Sequence, residues 1–335
     1  MRIGEPARRQ GSFRMIDPET AEKFRYQGEI FANRVKKRFK HFRKRFARQN
    51  IEVFRLYDWD IPEVRAVVDW YSGHLVIGEY MRRQSLPEWL PMMGEAAARA
   101  LELPMEKVHL KQRRAGKTEG KRYERIAHTD EKLVVSERDL KFYVNLYDYV
   151  DTGLFSDHRN TRRIVREGAA GRDFLNLYCY TGAFTCYAAK GGARTTVSVD
   201  RSDNALRWAG ENLELNGIAK EGNLLVQADA FDFLKNAKRR GKAFDLAVVD
   251  PPSYSTTRIR KDEFDVLRDH PRLLEAVVGV MRSGGVIFFS TNHQDFEPRL
   301  EPLEVSEARE ITRLTIPEDY ASKRKTIHRC WRITV

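Results

Sequence analysis

The chain has 335 residues, length enough for two domains and a substantial core, and its 41% hydrophobic and 11% aromatic content describes a globular protein, not a disordered one. Sixty Lys and Arg against 48 Asp and Glu give a net charge of +12, while three cysteines (Cys179, Cys186, Cys330) at unpatterned spacing argue against a disulfide framework and against a metal site. No apolar run approaches the roughly 20 residues needed to span a bilayer, and the polar, basic start of the chain lacks the apolar segment of a secretory signal, so a reduced, cytoplasmic protein with no membrane partner is expected.

Residues 1–50 read as a polar tail followed by a basic helix. Between Phe31 and Asn50 stand nine basic residues (Arg34, Lys36, Lys37, Arg38, Lys40, Arg43, Lys44, Arg45, Arg48) and no acid. Phe31, Val35, Phe39, Phe42 and Phe46 recur among them at three- and four-residue steps, which is helical spacing. The aromatic stripe suits packing against the chain's own core. Like charges one turn apart repel unless something neutralises them, so the basic face points to nucleic acid, with a solvated face as the plain alternative. Arg43, Lys44 and Arg45 are the candidate RNA contacts.

Residues 51–150 read as a small α+β module that presents or clamps the substrate. Val64–Tyr71 and His74–Tyr80 form a hairpin through Ser72-Gly73. A helix is expected over 88–101, and further strands over 108–114, 132–138 and 142–147.

From residue 151 the rhythm becomes strand and helix in alternation. Strands are expected at 174–178, 195–200, 223–227, 245–250 and 285–290, and helices at 183–190, 203–215, 230–238 and 263–281. This pattern specifies an α/β, Rossmann-like doubly wound parallel sheet. Segments 309–314 and 328–335 could complete it, one of them antiparallel.

The strand ends carry the chemistry, because ligands of open α/β sheets bind at the carboxyl ends of the strands. The first strand opens into Tyr178-Cys-Tyr-Thr-Gly182-Ala183, where Gly182 would let backbone approach a ligand at a helix N-terminus. Asp200 ends the second strand, 18 residues after Gly182, where an acid accepts hydrogen bonds from ribose hydroxyls. Asp229 and Ala230 end the third. The fourth ends in Asp250-Pro-Pro-Ser-Tyr254, where the prolines force the chain out of the sheet beside an acid and an aromatic. Each acid could also simply cap the helix that follows. The first turn has no G-x-G-x-x-G and no phosphate-binding glycine run follows elsewhere. A nucleoside cofactor without a pyrophosphate fits better, which points to S-adenosylmethionine.

Asn176-Leu-Tyr-Cys-Tyr-Thr-Gly-Ala-Phe, Val199-Asp-Arg-Ser, Leu215-Asn-Gly, Gln227-Ala-Asp and Asp250-Pro-Pro-Ser-Tyr together resemble a class I methyltransferase. More narrowly, nearly the whole chain resembles the C-terminal, guanine-N7 half of the fused bacterial 23S rRNA guanine methyltransferase. Phe31-Ala-Asn-Arg, Asp151-Thr-Gly-Leu-Phe-Ser-Asp-His-Arg159, Phe264-Asp-Val-Leu-Arg-Asp-His270 and Ile327-His-Arg-Cys-Trp331 extend the likeness beyond the cofactor site. The resemblance implies that Asn176, Tyr180, Gly182 and Ala183 line the methionine end of the cofactor. It implies Asp200 on the ribose, Asp229 with Ala230 on the adenine, and Asp157 with Arg159 closing over the methionine. Asp250 would border the cofactor and act catalytically together with Tyr254. Pro251, Pro252, Ser253 and Tyr254 would hold the target base, Asp269 and His270 would contact base or backbone, and Lys323 and Arg324 would contact phosphate. The implied partner is 23S ribosomal RNA or a large-subunit assembly intermediate, with the chain acting alone or beside a separate methyltransferase or RNA-binding chain.

Guanine N7 has a free lone pair and needs no proton removed before attack, so Asp250 would position the base or stabilise charge developing on it. A related family that makes 5-methylcytosine needs a nucleophilic cysteine after the fifth strand. This chain has Phe289-Ser-Thr-Asn-His293 there, which counts against cytosine C5 chemistry. Methylation of an exocyclic base amine, and a non-catalytic RNA-binding role, are the alternatives that the motifs leave open.

Overall fold

A 31-residue helix, α1 (Pro18–Arg48), leads the computed structural model, which describes residues 16–114, 125–252, 264–301, 303–321 and 325–335. Asp17 caps it by accepting from the Thr20 backbone N–H, and Pro18 takes the first-turn position where no N–H is required. Phe31, Val35, Phe42 and Phe46 are buried, so the aromatic stripe is packing. Phe46 meets Phe54 at 5.0 Å and stacks on Phe42 at 5.1 Å.

The surface that receives it is a four-stranded sheet of β1 (Val53–Asp58), β2 (Ala66–Tyr71), β3 (His74–Met81) and β4 (Val108–Arg114), in that order. The β2–β3 turn has positive φ at both Ser72 (42°) and Gly73 (92°), the two-residue hairpin geometry that matches strand twist. Helix α2 (Trp89–Leu101) makes the crossover from β3 to β4, which are parallel. A separate hairpin, β5 (Leu133–Glu137) and β6 (Leu140–Val144), follows. Strand β6 lies two to three residues earlier than the sequence suggested. Asn145 Oδ1 accepts from the backbone of Tyr147 and Asp148 and so turns the chain out of the sheet.

Helix α3 (Arg159–Glu167) then leads into the alternating half: β7 (Asp173–Leu177), α4 (Ala183–Lys190), β8 (Thr195–Asp200), α5 (Asp203–Leu215), β9 (Asn223–Gln227), α6 (Ala230–Arg239) and β10 (Phe244–Val249). It closes with α7 (Val266–Val278), β11 (Met281–Thr291), β12 (Glu307–Glu310), α8 (Thr312–Thr315) and β13 (Arg329–Thr334). The seven strands run in the order β12-β13-β11-β10-β7-β8-β9. Only β13 opposes the others, since β12 pairs antiparallel to β13 and β13 antiparallel to β11. The four exposed residues of β12, Glu-Ala-Arg-Glu, give that edge the charges that discourage pairing with a further strand.

Buried arginines fasten the two halves together. Arg159 donates to Asp319 Oδ1 (2.5 Å) and to the Val53 carbonyl (3.0 Å), and Arg162 forms a two-pronged pair with Glu137 at 2.8 Å. Such pairs repay their desolvation only with full hydrogen-bonding geometry, which Arg162 has, its third donor meeting the Phe155 carbonyl at 2.9 Å. The β7–β10 register sets the ends of these neighbouring strands at one level, and β8 and β9 continue the same rim. Among the described residues no helix is long and apolar enough to cross a membrane.

Candidate active site

The first rim element is the turn after β7. Tyr178 (φ 57°), Tyr180 (φ 49°) and Gly182 (φ 74°) alternate through the left-handed region, a costly conformation for two tyrosines and one that concentrates at ligand-holding turns. Asp200, at the end of β8, holds this turn by accepting from the Tyr180 backbone N–H (3.0 Å) and from that of Ser202 (2.9 Å). Burial pushes its pKa upward against those two hydrogen bonds. A Cβ on Gly182 would lie 2.9 Å from the Cβ of Ala209. Glycine there admits close approach of α5. Ala183 begins α4 directly behind it.

Asp229 caps α6, its Oδ1 accepting from Phe231 (2.9 Å) and Asp232 (3.4 Å), with Ala230 as the first helical residue. Capping and rim position coexist here: the same carboxylate stays partly exposed at the strand end. Asp250 follows β10. Its Oδ1 accepts from the Ser290 hydroxyl (2.7 Å), and its Oδ2 lies 3.5 Å from His158 Nε2. Pro251 is buried and Pro252 exposed beside it. Ser253, Tyr254, Lys323 and Arg324 lie outside the described residues.

Behind Asp250, beside Asp157, sit two histidines that the sequence reading did not single out. The His158 and His328 rings stack at 4.1 Å and 10°. Asp157 Oδ2 lies 3.1 Å from His328 Nδ1 and 3.7 Å from His158 Nε2. Two histidine neighbours and hydrogen bonding outweigh burial and hold the Asp157 carboxyl well below the usual range. Both histidines stood in quoted motifs, Asp157-His-Arg and Ile327-His-Arg. A lone histidine has no periodicity to announce that it is buried.

Four expected site residues are committed elsewhere. Asn176 is buried within β7 and donates to Thr185 Oγ1 (2.9 Å), fixing α4 to the sheet. Arg159 is held by Asp319 and Val53, facing the four-stranded sheet's side of the molecule. His270 is fully buried: Nδ1 donates to the Val266 carbonyl (2.7 Å) and Nε2 accepts from the Arg299 backbone (3.0 Å), so neither nitrogen can reach a base. Pro271 lacks the N–H that the Leu267 carbonyl would otherwise meet, and Arg299 supplies a donor to that carbonyl at 2.8 Å. Asp269 accepts from the Asp265 backbone N–H and pairs with Arg268 at 2.8 Å, within the same helix start. On α1, Arg43 and Lys44 are exposed, while Arg45 pairs with Glu318 at 2.7 Å.

Between the two halves lies a cleft of about 400 Å³. The four-stranded sheet contributes Arg55, Asp69 and Tyr80; the alternating half contributes Asp157, the 292–295 turn after β11 and Lys325. Arg55 is locked by a two-pronged pair with Asp69 (2.8 and 3.1 Å). Asp157 is shared between this cleft and the group behind Asp250, so the two adjoin. All three cysteines are buried and unpaired, and burial raises their pKa values, Cys186 to about 12.

Residues 69–321 match the family model described as S-adenosylmethionine-dependent methyltransferase. The protein named ribosomal RNA large subunit methyltransferase K of Neisseria meningitidis serogroup B is 42% identical over 311 residues, covering 90% of this chain and 86% of that protein. Ribosomal RNA large subunit methyltransferase K/L of Vibrio cholerae serotype O1 is 40% identical, covering 91% of this chain but 43% of its own length. This chain therefore spans less than half of that longer relative. A SAM-dependent methyltransferase from Streptococcus mutans has the same fold at a TM-score of 0.72 and 22% identity, covering 92% of this chain and 81% of its own. A methyltransferase solved in complex with SAH matches as well, at a TM-score of 0.72 and 23% identity over 92% of this chain and 82% of its own. The acids on one strand rim and the matched family model agree: this chain belongs to the S-adenosylmethionine-dependent methyltransferases and has their class I fold.

Proposed function

We propose that this chain methylates guanine N7 in 23S ribosomal RNA. The donor set suits the cofactor: carboxylates end β8 and β9, where ribose hydroxyls and an adenine amine need acceptors, and the strained turn after β7 opens onto the N-terminus of α4. Asp200 takes the ribose, Asp229 and Ala230 the adenine, and Tyr180 to Ala183 the methionine end, with Asp157 nearby. Bound S-adenosylmethionine supplies an electrophilic methyl group, the new N–C bond forming as the C–S bond breaks with its electron pair left on sulfur.

One observation carries the placing of the base. Asp250 is fixed by Ser290 through one oxygen, and among the described residues no lysine or arginine pairs with it. A carboxylate held this way stabilises a purine ring gaining positive charge and need remove no proton. The nucleotide enters through the cleft between the two halves, turned out of any helix so that the base can be reached. The names of the relatives support ribosomal RNA of the large subunit as the substrate, free or in an assembly intermediate. Exposed Arg43 and Lys44 on α1 meet its phosphates, Arg45 less so because of Glu318.

A second reading, methylation of an exocyclic amine, draws on the 3.5 Å approach of His158 to Asp250, since an amine must shed a proton that this pair could accept. Purified protein, labelled cofactor and unmodified 23S rRNA separate the two. Label in 7-methylguanosine is expected; label on an adenine or guanine amino group selects the second reading, and no transfer overturns both.

A further inference from the structure

The buried histidine pair behind Asp250 is fixed in place by its hydrogen bonds. The Thr315 hydroxyl lies 2.9 Å from the Thr312 carbonyl and 3.0 Å from His328 Nε2. On the other side of the ring, Nδ1 donates to the Asp157 carboxylate at 3.1 Å. His328 is thus held at both ring nitrogens, by Asp157 and by Thr315.

His158 lies face to face with that ring. The groups around it are His328, Arg162 from α3, and the carboxylates of Asp157 and Asp250, with the Phe184 ring edge-on at 5.7 Å. Burial, His328 and Arg162 together outweigh the two carboxylates and lower the pKa of His158. His158 Nε2 thus stands 3.5 Å from Asp250 on a ring that is slow to gain a proton, and among the described residues no lysine or arginine pairs with that carboxylate.

We propose that His158 is a positioning residue for methyl transfer: stacked on His328 and set 3.5 Å from Asp250, it braces that acid as a bare carboxylate facing the base, and taking up a proton silences the site. This rests on reading Asp250 as the acid beside the target base. Protonated His158 would neutralise Asp250 when the ring being methylated most needs its charge. The consequence is an acid limb in turnover set by His158 and tuned by a residue, His328, that touches neither base nor cofactor.

The test follows turnover against pH and, in the protein without ligand, the imidazole resonances of His158. The wild-type limb and the His158 titration should share one midpoint below 6.5. His158→Gln keeps a polar contact to Asp250 but cannot titrate there, so its acid limb should disappear while turnover at pH 8 falls by about 10-fold. His158→Leu should fall by about 100-fold, with cofactor affinity within about threefold in both variants. His328→Gln removes the stacked imidazole that lowers the His158 pKa, so the His158 midpoint and the limb should both move to higher pH. A wild-type acid limb in His158→Gln, or an unmoved midpoint in His328→Gln, overturns the proposal. Should His158→Gln fail to fold, the wild-type and His328→Gln resonances decide alone. The limb is read on whichever methylated nucleoside forms, so an error about N7 shows in the product and leaves this result standing.

Discussion

Charged side chains serve opposite ends at the seam between the two halves and on the rim of the seven-stranded sheet. At the seam, Arg55, Arg159 and Arg162 are buried and each guanidinium meets a carboxylate: Asp69, Asp319 and Glu137. On the rim, Asp200, Asp229 and Asp250 meet backbone N–H groups, a serine hydroxyl and an imidazole, and among the described residues none forms an ion pair with lysine or arginine. Buried charges matched to one another lock a structure. Carboxylates left with spare accepting capacity are available to a ligand. Pairing therefore separates the seam acids from the rim acids better than burial does, since Asp200 is itself largely covered.

The comparison can be broken most sharply at the seam. Glu137→Gln strips the countercharge from fully buried Arg162 and should cost about 3–5 kcal/mol in chemical denaturation, with little change in cofactor affinity per folded molecule. A loss below about 1 kcal/mol would mean that the pair is dispensable.

Next in size is a pH effect in the four-stranded half. His109 is buried against His74 (3.0 Å) and the Tyr147 ring, and its pKa is lowered to about 4, chiefly by burial. A histidine whose folded pKa is depressed binds its proton more readily when unfolded. The stability it contributes is full above its unfolded value of 6.5 and is lost as pH falls toward 4, amounting to about 3 kcal/mol. His109→Phe should flatten that part of the stability–pH curve, and an equal slope in both proteins would remove His109 from the account.

Smaller effects belong to the rim and to α1. Asp200→Asn keeps one acceptor oxygen for two backbone N–H groups and loses the charge, and calorimetry should show cofactor binding weakened about 10-fold with a stability loss of about 1 kcal/mol. If stability collapses and affinity does not, Asp200 belongs with the structural acids. Replacing Arg43 and Lys44 by alanine should lower the slope of log affinity for RNA against log salt by about two, while replacing Glu318-paired Arg45 should change it by less. An unchanged slope returns that face of α1 to solvent.

Much of the alternating half was legible because its cues are local. Helices α4 and α5 and strands β8 and β9 fall on the expected residues, each bounded by a glycine or by a polar cap such as Ser202. Strand β1 and helix α3 were not anticipated. The buried face of α3 is built around Arg159 and Arg162, and hydrophobic periodicity cannot register a charge buried by a partner far along the chain; in β1, Arg55 interrupts the apolar run of Val53, Phe54, Leu56 and Tyr57. The same blindness explains the site. Asp200, Asp229 and Asp250 announce themselves at strand ends, but His158 and His328 are 170 residues apart and meet only in the fold. Conversely His270 and Arg159 look chemical in sequence and prove to be internal, because their partners, the Arg299 backbone and Asp319, are distant too.

The account turns on Asp250 being the acid at the base and not a cofactor ligand. Measuring cofactor affinity and single-turnover methyl transfer side by side for Asp250→Ala tests this most directly. Transfer should fall by about 100-fold or more while the cofactor Kd moves by less than about threefold. Collapse of cofactor binding with the transfer rate at saturation preserved would contradict it.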